Sequence, residues 1–228
     1  MPPPSTPHLV GRHLVGRRAL ALGSAALAIG FEGLRVGIGA AAQGVAPAVT
    51  PRQITGPFYP VDWSGDADTD PVRVMGAAAQ AQGAVTHLRG RVLDVRGRPV
   101  AGAAVEIWQC DANGFYRYPN DRPGARDAGF QGRGRMAVGP DGGFAFRTIR
   151  PVPYPGRTPH IHVLVTAPDR PQALITQLYV AGEPLNDRDR LFNSVRDPRE
   201  REALLMQLAP ADRIEAGALL AERDIVLG

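Results

Sequence analysis

The chain predicts an all-β domain, a β-sandwich with long loops and one short C-terminal helix. Three observations carry that expectation. Glycine and proline are abundant, at 27 and 22 of 228 residues, which favours many turns over long helices. Between the turns lie six or seven short strand-like runs at regular spacing, with no internal repeat. Hydrophobic residues make up 44%, enough for a real core in one domain with appendages.

Residues 1–42 read as an export signal. Arg17 and Arg18 immediately precede an apolar run from Ala19 to Phe31, which gives way to Glu32, Arg35 and the small residues Gly39 to Ala42. The run is too short to span a bilayer as a mature helix. Paired arginines before a modestly apolar run resemble a twin-arginine signal, the route for proteins exported already folded. Cleavage after Ala42 would leave a mature chain with no membrane anchor in the periplasm or outside the cell. The alternatives are a disordered extension or a buried helix.

Residues 43–85 look irregular, with Asp62, Asp66, Asp68 and Asp70 in a solvated run. Inside them Gln53 to Pro60 forms an apolar and aromatic patch, expected to pack onto the domain. The sandwich proper is expected over 86–228. His87 to Val95 reads as a strand, Arg96 to Pro99 as a turn and Val100 to Trp108 as a second strand. Asp111-Ala112-Asn113-Gly114 is a turn that delivers Phe115 to Tyr118. Phe130 to Met136 is glycine-rich and ambiguous. Gly139 to Gly143 is a further turn, after which Phe144, Phe146 and Thr148 alternate as in a strand. Leu174 to Val180 is another apolar strand. A helix is expected from about Pro198 to Leu208, with Asp197 as N-cap, proline in the first position and Leu204, Leu205 and Leu208 as its apolar face. Asp224 to Leu227 closes the chain as a strand.

Charge and cysteine narrow the function. The net charge is +4, every basic residue is arginine, and Arg12, Arg17, Arg18 and Arg35 sit in the leader region. No basic stripe is interleaved with aromatics, so a nucleic-acid partner is rejected. Cys110 is the only cysteine, so neither an intrachain disulfide nor a thiolate metal cluster can form. Any metal must be held by nitrogen and oxygen.

His160 and His162 open the run Ile161-His162-Val163-Leu164-Val165. On a strand, residues two apart share a face, so both imidazoles project together while Ile161, Val163 and Val165 face a core. Neutral imidazole is the commonest metal ligand, which makes the pair half of a site. The plainer alternative is one satisfied core histidine and one at the surface. Further ligands could come from His87, if its strand reaches across, or from the tyrosines Tyr116 and Tyr154. No H-E-x-x-H motif and no carboxylate beside His160 point to a divalent-metal hydrolase. Tyrosinate is a hard anionic donor, so two tyrosines with two histidines suit Fe(III) better than Zn(II) or Cu(I). Two tyrosinates and a hydroxide would balance its three charges.

Four stretches together resemble the intradiol ring-cleavage dioxygenases, closest to the iron-bearing subunit of the protocatechuate 3,4-dioxygenase branch. They are Gly114-Phe115-Tyr116-Arg117, Phe146 to Pro155, Arg157-Thr158-Pro159-His160-Ile161-His162 and Leu174 to Tyr179. The resemblance covers roughly residues 50–228. It implies one non-haem Fe(III) per chain, held by Tyr116, Tyr154, His160 and His162. It implies that Tyr154 leaves the metal and accepts a substrate proton, that Arg157 and Gln177 stabilise charge on the bound ring, and that Gly56, Pro57, Phe58 and Tyr59 form a pocket wall. The reaction implied is cleavage of a small aromatic diol by O2 to a cis,cis-muconate-type diacid. Gly156 stands where the family carries a bulky aromatic, and neither the helical dimerisation region of the catechol branch nor an iron-free second subunit is evident. A more open site follows, and a homo-oligomer remains an option. Arg133 and Arg135 are candidates to meet a substrate carboxylate.

A second reading is a binding module. Gly90 to Val105 resembles the first strands of transthyretin-like and carboxypeptidase-regulatory domains, which bind or support and do not catalyse. That reading expects Tyr116, Tyr154, His160 and His162 to stay apart. The enzyme reading requires them to meet.

Overall fold

The computed structural model describes residues 47–228 apart from Asn120, Arg122 and Pro123. The export segment expected over residues 1–42 lies outside the described residues. From residue 47 to residue 84 the chain forms no strand or helix. It is nevertheless tied down, with Thr50 N donating to Val226 O at 3.0 Å and Gln53 N to Ile175 O at 2.7 Å.

Strands follow in order: β1 Val85–Asp94, β2 Ala104–Trp108, β3 Arg133–Ala137, β4 Gly143–Ile149, β5 His160–Ala167, β6 Arg170–Val180, β7 Leu205–Pro210, β8 Leu219–Glu222 and β9 Ile225–Leu227. Two 3-10 turns, Pro184–Arg188 and Phe192–Ser194, and the helix α1, Pro198–Glu202, lie between β6 and β7. The hydrogen-bonded order is β3-β2-β5-β6-β7-β8-β1-β4, with β9 beside β1. Only Tyr179↔Leu205 and Val180↔Met206 join β6 to β7, so the path divides there into two four-stranded halves.

The halves enclose one core, as in a sandwich. Leu88 and Val92 of β1 and Phe144 and Phe146 of β4 belong to the same buried cluster as Val105, Ile107, Ile161, Val163 and Val165 from the other half. Each such side chain contributes about 1.5–3 kcal/mol when fully withdrawn from water. The alternation expected for Ile161, Val163 and Val165 holds, because a period-two strand with one apolar face has only one register that buries it.

Several sequence expectations change. The helix expected over Pro198 to Leu208 stops at Glu202. Its start is as expected, since Asp197 caps Arg199 N at 2.8 Å and Pro198 occupies the first position. From Leu205 the chain instead pairs with β6 and β8, because the two halves need a strand to bridge them. The second strand begins at Ala104, not Val100, after a turn with Gly102 at φ 72°. The ambiguous glycine-rich run resolves into β3, and β8 is a strand the pattern did not announce.

Candidate metal centre

Strand register creates the floor of the site. On the outer face of β2, β5 and β6, Trp108 stands opposite His162, His162 opposite Gln177, and His160 opposite Tyr179. Directly opposed residues of antiparallel strands share a face, so these side chains form one patch. Trp108 stacks flat on His162, with centroids 4.7 Å apart and planes at 9°.

Two turns bring the tyrosines to this patch. Asp111 accepts Asn113 N and Phe115 N through Oδ1, both at 2.9 Å, and Gly114 takes φ 77°. That closes the turn that delivers Tyr116, whose own N–H donates to Asp121 Oδ2 at 2.6 Å. Tyr154-Pro155-Gly156-Arg157 is a second turn, with Arg157 N donating to Tyr154 O at 2.9 Å and Gly156 at φ 81°. Proline followed by a positive-φ glycine is the chemistry of a type II turn. It sets Tyr154 and Arg157 side by side, with Nη1 donating to Tyr154 Oη at 3.3 Å.

The four predicted ligand side chains converge. His160 Nε2 lies 3.2 Å from His162 Nε2 and 3.4 Å from Tyr116 Oη. The Tyr154 ring lies 5.5 Å, centroid to centroid, from both Tyr116 and His160. His160 Nδ1 meets Thr158 O at 2.6 Å, and because a carbonyl only accepts, Nδ1 carries the proton. The Nε2 lone pair of His160 is therefore turned into the cluster.

Burial sets the protonation states. It pushes His160 down to about 3, aided by the Arg157 charge, and His162 well below its ordinary value, aided by His160 and Arg157. Both imidazoles are neutral near pH 7, the form that binds metals. Burial, with Tyr154 and Cys110 nearby, pushes the Tyr116 phenol well up, and burial raises Tyr154 against the opposing pull of Arg157. Such phenols stay protonated unless a cation is present to invert the balance.

The donors fit a hard cation. Among the described residues no three His, Cys, Asp or Glu side chains gather in a way that could hold a metal. His87 pairs with Glu215 at 3.1 Å and takes no part in the cluster. The thiol of Cys110 is directed to Val152 O at 3.6 Å. What converges is two imidazole nitrogens and two phenol oxygens, a set suited to ferric iron.

Of the other predicted residues, Arg157, Gln177, Gly56 and Phe58 gather around the cluster and the rest do not. Arg157 Nη2 donates to Gln177 Oε1 at 2.5 Å. Gly56 approaches His162 so closely that a Cβ there would lie 3.4 Å from Cε1. Phe58 stacks on Tyr116 at 4.5 Å. Tyr59 turns away to donate to Glu106 Oε2 at 2.7 Å, its pKa pushed up to about 12 by burial and that carboxylate. Pro57 is exposed. Arg133 and Arg135 sit over the Trp63 ring, 5.8 and 5.4 Å from its centroid, not at the cluster.

A cavity of about 240 Å³ opens beside Tyr154 and Arg157, bounded by Gly156, Leu185 and Arg188. A Cβ on Gly156 would meet nothing within 4 Å, so the opening expected there is present. Four larger surface pockets include none of the clustered side chains. Sequence reasoning missed Trp108 and Asp189. Trp108 is placed at the site only by strand register, which its own sequence does not show, and Asp189 lies in a charged run that reads as solvated surface.

The sequence model of the dioxygenase family matches residues 54–217, which contain the whole cluster. The chain belongs to the intradiol ring-cleavage dioxygenases. Hydroxyquinol 1,2-dioxygenase of Nocardioides simplex is 36% identical over 63% of this chain and 51% of its own length. The protocatechuate 3,4-dioxygenase beta chain of Burkholderia cepacia is 33% identical over 75% of this chain and 76% of its own. The chain thus spans about half the length of the first of these relatives. The solved dioxygenase domain of a dioxygenase carbohydrate-binding protein fusion from Streptomyces sp. SirexAA-E superposes with a TM-score of 0.59 at 34% identity. That superposition covers 79% of this chain and 98% of the domain.

Proposed function

We propose that this chain is a non-haem Fe(III)-dependent intradiol dioxygenase. It opens a catechol-type ring with O2, placing both oxygen atoms in a cis,cis-muconate-type diacid. The observation that carries the reading is the convergence of two phenols and two neutral imidazoles in one buried cluster. Names of the relatives add support: they act on hydroxyquinol, protocatechuate or catechol, all aromatic diols.

Tyr116, Tyr154, His160 and His162 would hold the iron. Bound ferric iron would act as a Lewis acid and template, drawing density from the diol ring so that O2 can attack without an external reductant. Tyr154 is half-buried and borders the cavity, whereas Tyr116 is buried and fixed through Asp121. Tyr154 is thus the phenol free to make way for the diol and to take a proton from it at Oη. Arg157 keeps a permanent positive charge beside that oxygen, and Gln177 orients the guanidinium. Phe58 stacks against Tyr116 and limits water on that side.

The finer fold reading, that the β-sandwich core is transthyretin/prealbumin-like, is supported by the resemblance of Gly90 to Val105. Export by a twin-arginine route is supported by Arg17 and Arg18 ahead of the apolar run. Replacing both by lysine should retain the protein in the cytoplasm, and unchanged export would reject that route.

The dioxygenase reading is tested by the visible spectrum of leaderless protein loaded with ferric iron. A wine-red tyrosinate charge-transfer band is expected, shifting on anaerobic catechol addition. Tyr154→Phe should shift the band at rest and lower turnover at least ~100-fold, in the range of general acid–base contributions. A protein that stays colourless with ferric iron would be a binding module instead.

A further inference from the structure

Asp189 lies in no motif and beyond every residue assigned above, yet its side chain is fully buried. An ionised carboxylate only accepts hydrogen bonds, and a buried one persists only when paired and bonded. Its two oxygens divide the work. Oδ1 accepts Leu191 N at 2.9 Å and Phe192 N at 3.0 Å, which fastens the carboxylate to its own loop. Oδ2 accepts Arg157 Nε at 2.8 Å and Thr158 N at 3.0 Å, both on the turn that leads into His160. Burial alone would raise its pKa, but the N–H groups of Phe192 and Thr158 and the Arg157 charge hold it below the usual carboxylate range.

The consequences reach the metal centre along two short paths. With Nε anchored, the planar guanidinium has one orientation, in which Nη1 meets Tyr154 Oη and Nη2 meets Gln177 Oε1. Without that anchor the head can rotate away from Tyr154. Thr158 is held on the same loop a second time, its hydroxyl donating to Asn186 Oδ1 at 2.8 Å while Asn186 Nδ2 donates to Val180 O at 2.8 Å. The carbonyl of this clamped residue is the one that accepts the proton of His160 Nδ1.

We propose that Asp189 is a positioning residue for the dioxygenase reaction: it aims the Arg157 guanidinium at Tyr154 and Gln177 and, through Thr158, fixes the tautomer of His160. This rests on the dioxygenase reading, and its test separates the two. Asp189→Asn keeps the shape and removes the charge. In the metal-free full chain, nitrogen NMR should find the Arg157 Nε–H protected and His160 protonated only at Nδ1. The variant should lose the protection and show mixed His160 tautomers.

In the iron-loaded enzyme the variant should lose about 10–100-fold in kcat, the usual effect of removing a partner that orients a metal ligand. KM should stay within about threefold, and the visible band should move. Adding Arg157→Met to the variant should cost little more than Arg157→Met alone, because both changes act through one guanidinium. Unchanged NMR signals with kcat within about twofold overturn the proposal, as do losses that simply multiply in the double variant. Should Asp189→Asn not fold, Asp189→Glu keeps the charge, displaces it by one methylene and carries the same readouts. A colourless wild-type protein counts against the dioxygenase reading alone, since the hold on Arg157 is read without metal.

Discussion

Gly56 has φ 74°, and a Cβ added there would lie 3.4 Å from His162 Cε1. An L-residue in that backbone region costs about 1–2 kcal/mol. A branched side chain would also press on a ring already sandwiched against Trp108. Gly56→Val should therefore lower the melting temperature by about 2–4 °C for each kcal/mol lost. It should also weaken the ferric-tyrosinate band, while Gly97→Ala, also at positive φ and with open space around it but in the turn between β1 and β2, should destabilise without touching the band. Equal spectra for the two variants would show that Gly56 does not bear on His162. Residues differ in how far sequence reveals such roles. Tyr154 and Arg157 could be placed together because Pro155-Gly156 dictates a tight turn. Gly56 entered only through family resemblance, since a glycine 106 positions before His162 carries no sign of contact with it. Asp189 was invisible, because a carboxylate among charged neighbours looks solvated until the fold buries it.

Among the elements, the strand that begins at His160 was the most legible. An apolar run that alternates with two histidines has one register consistent with a core, and that register also sets which neighbours meet the imidazoles. The segment after Asp197 was less legible, for a reason that local sequence contains. Its cap and first-position proline are real helix signals, and they do start a helix. Leu204, Leu205 and Leu208 then fit a helical face, but Leu204 and Met206 are buried while Gln207 and Ala209 are exposed, a period of two. Both patterns coexist over so short a run, and pairing with Tyr179 and Val180 decides between them. Tertiary contacts override propensity where a few residues satisfy both periods. The error was harmless for the site, because β7 bridges the two halves and carries none of the clustered side chains.

At the scale of the whole molecule, the long irregular segment after residue 47 is held by contacts far apart in sequence. Gln53 Nε2 donates to Leu191 O at 3.1 Å, and Thr176 Oγ1 donates to Pro51 O at 2.8 Å. The other end of the segment is held by Arg147 on β4, which donates to Asp70 Oδ1 at 2.9 Å and grips Glu215 with Nε and Nη2 at 2.8 and 2.6 Å. One guanidinium thus joins the N-terminal segment, the sheet and the turn before β8. Arg147, supplying the largest influence, holds Glu215 down to about 2 from an ordinary 4.5. A carboxylate depressed in the folded state contributes stability above its unfolded pKa and loses it as pH falls through the folded one. The contribution of this group is therefore complete above about pH 4.5 and disappears toward pH 2. Arg147→Met should cost about 1.5–3 kcal/mol at pH 7, the range for hydrogen bonds to charged groups. The gap between wild type and variant, followed by urea unfolding, should shrink steadily from pH 4.5 downward. Curves that stay parallel to pH 2 would mean that Arg147 supports the fold by packing alone, and that the segment carrying Asp70 is held by its backbone bonds.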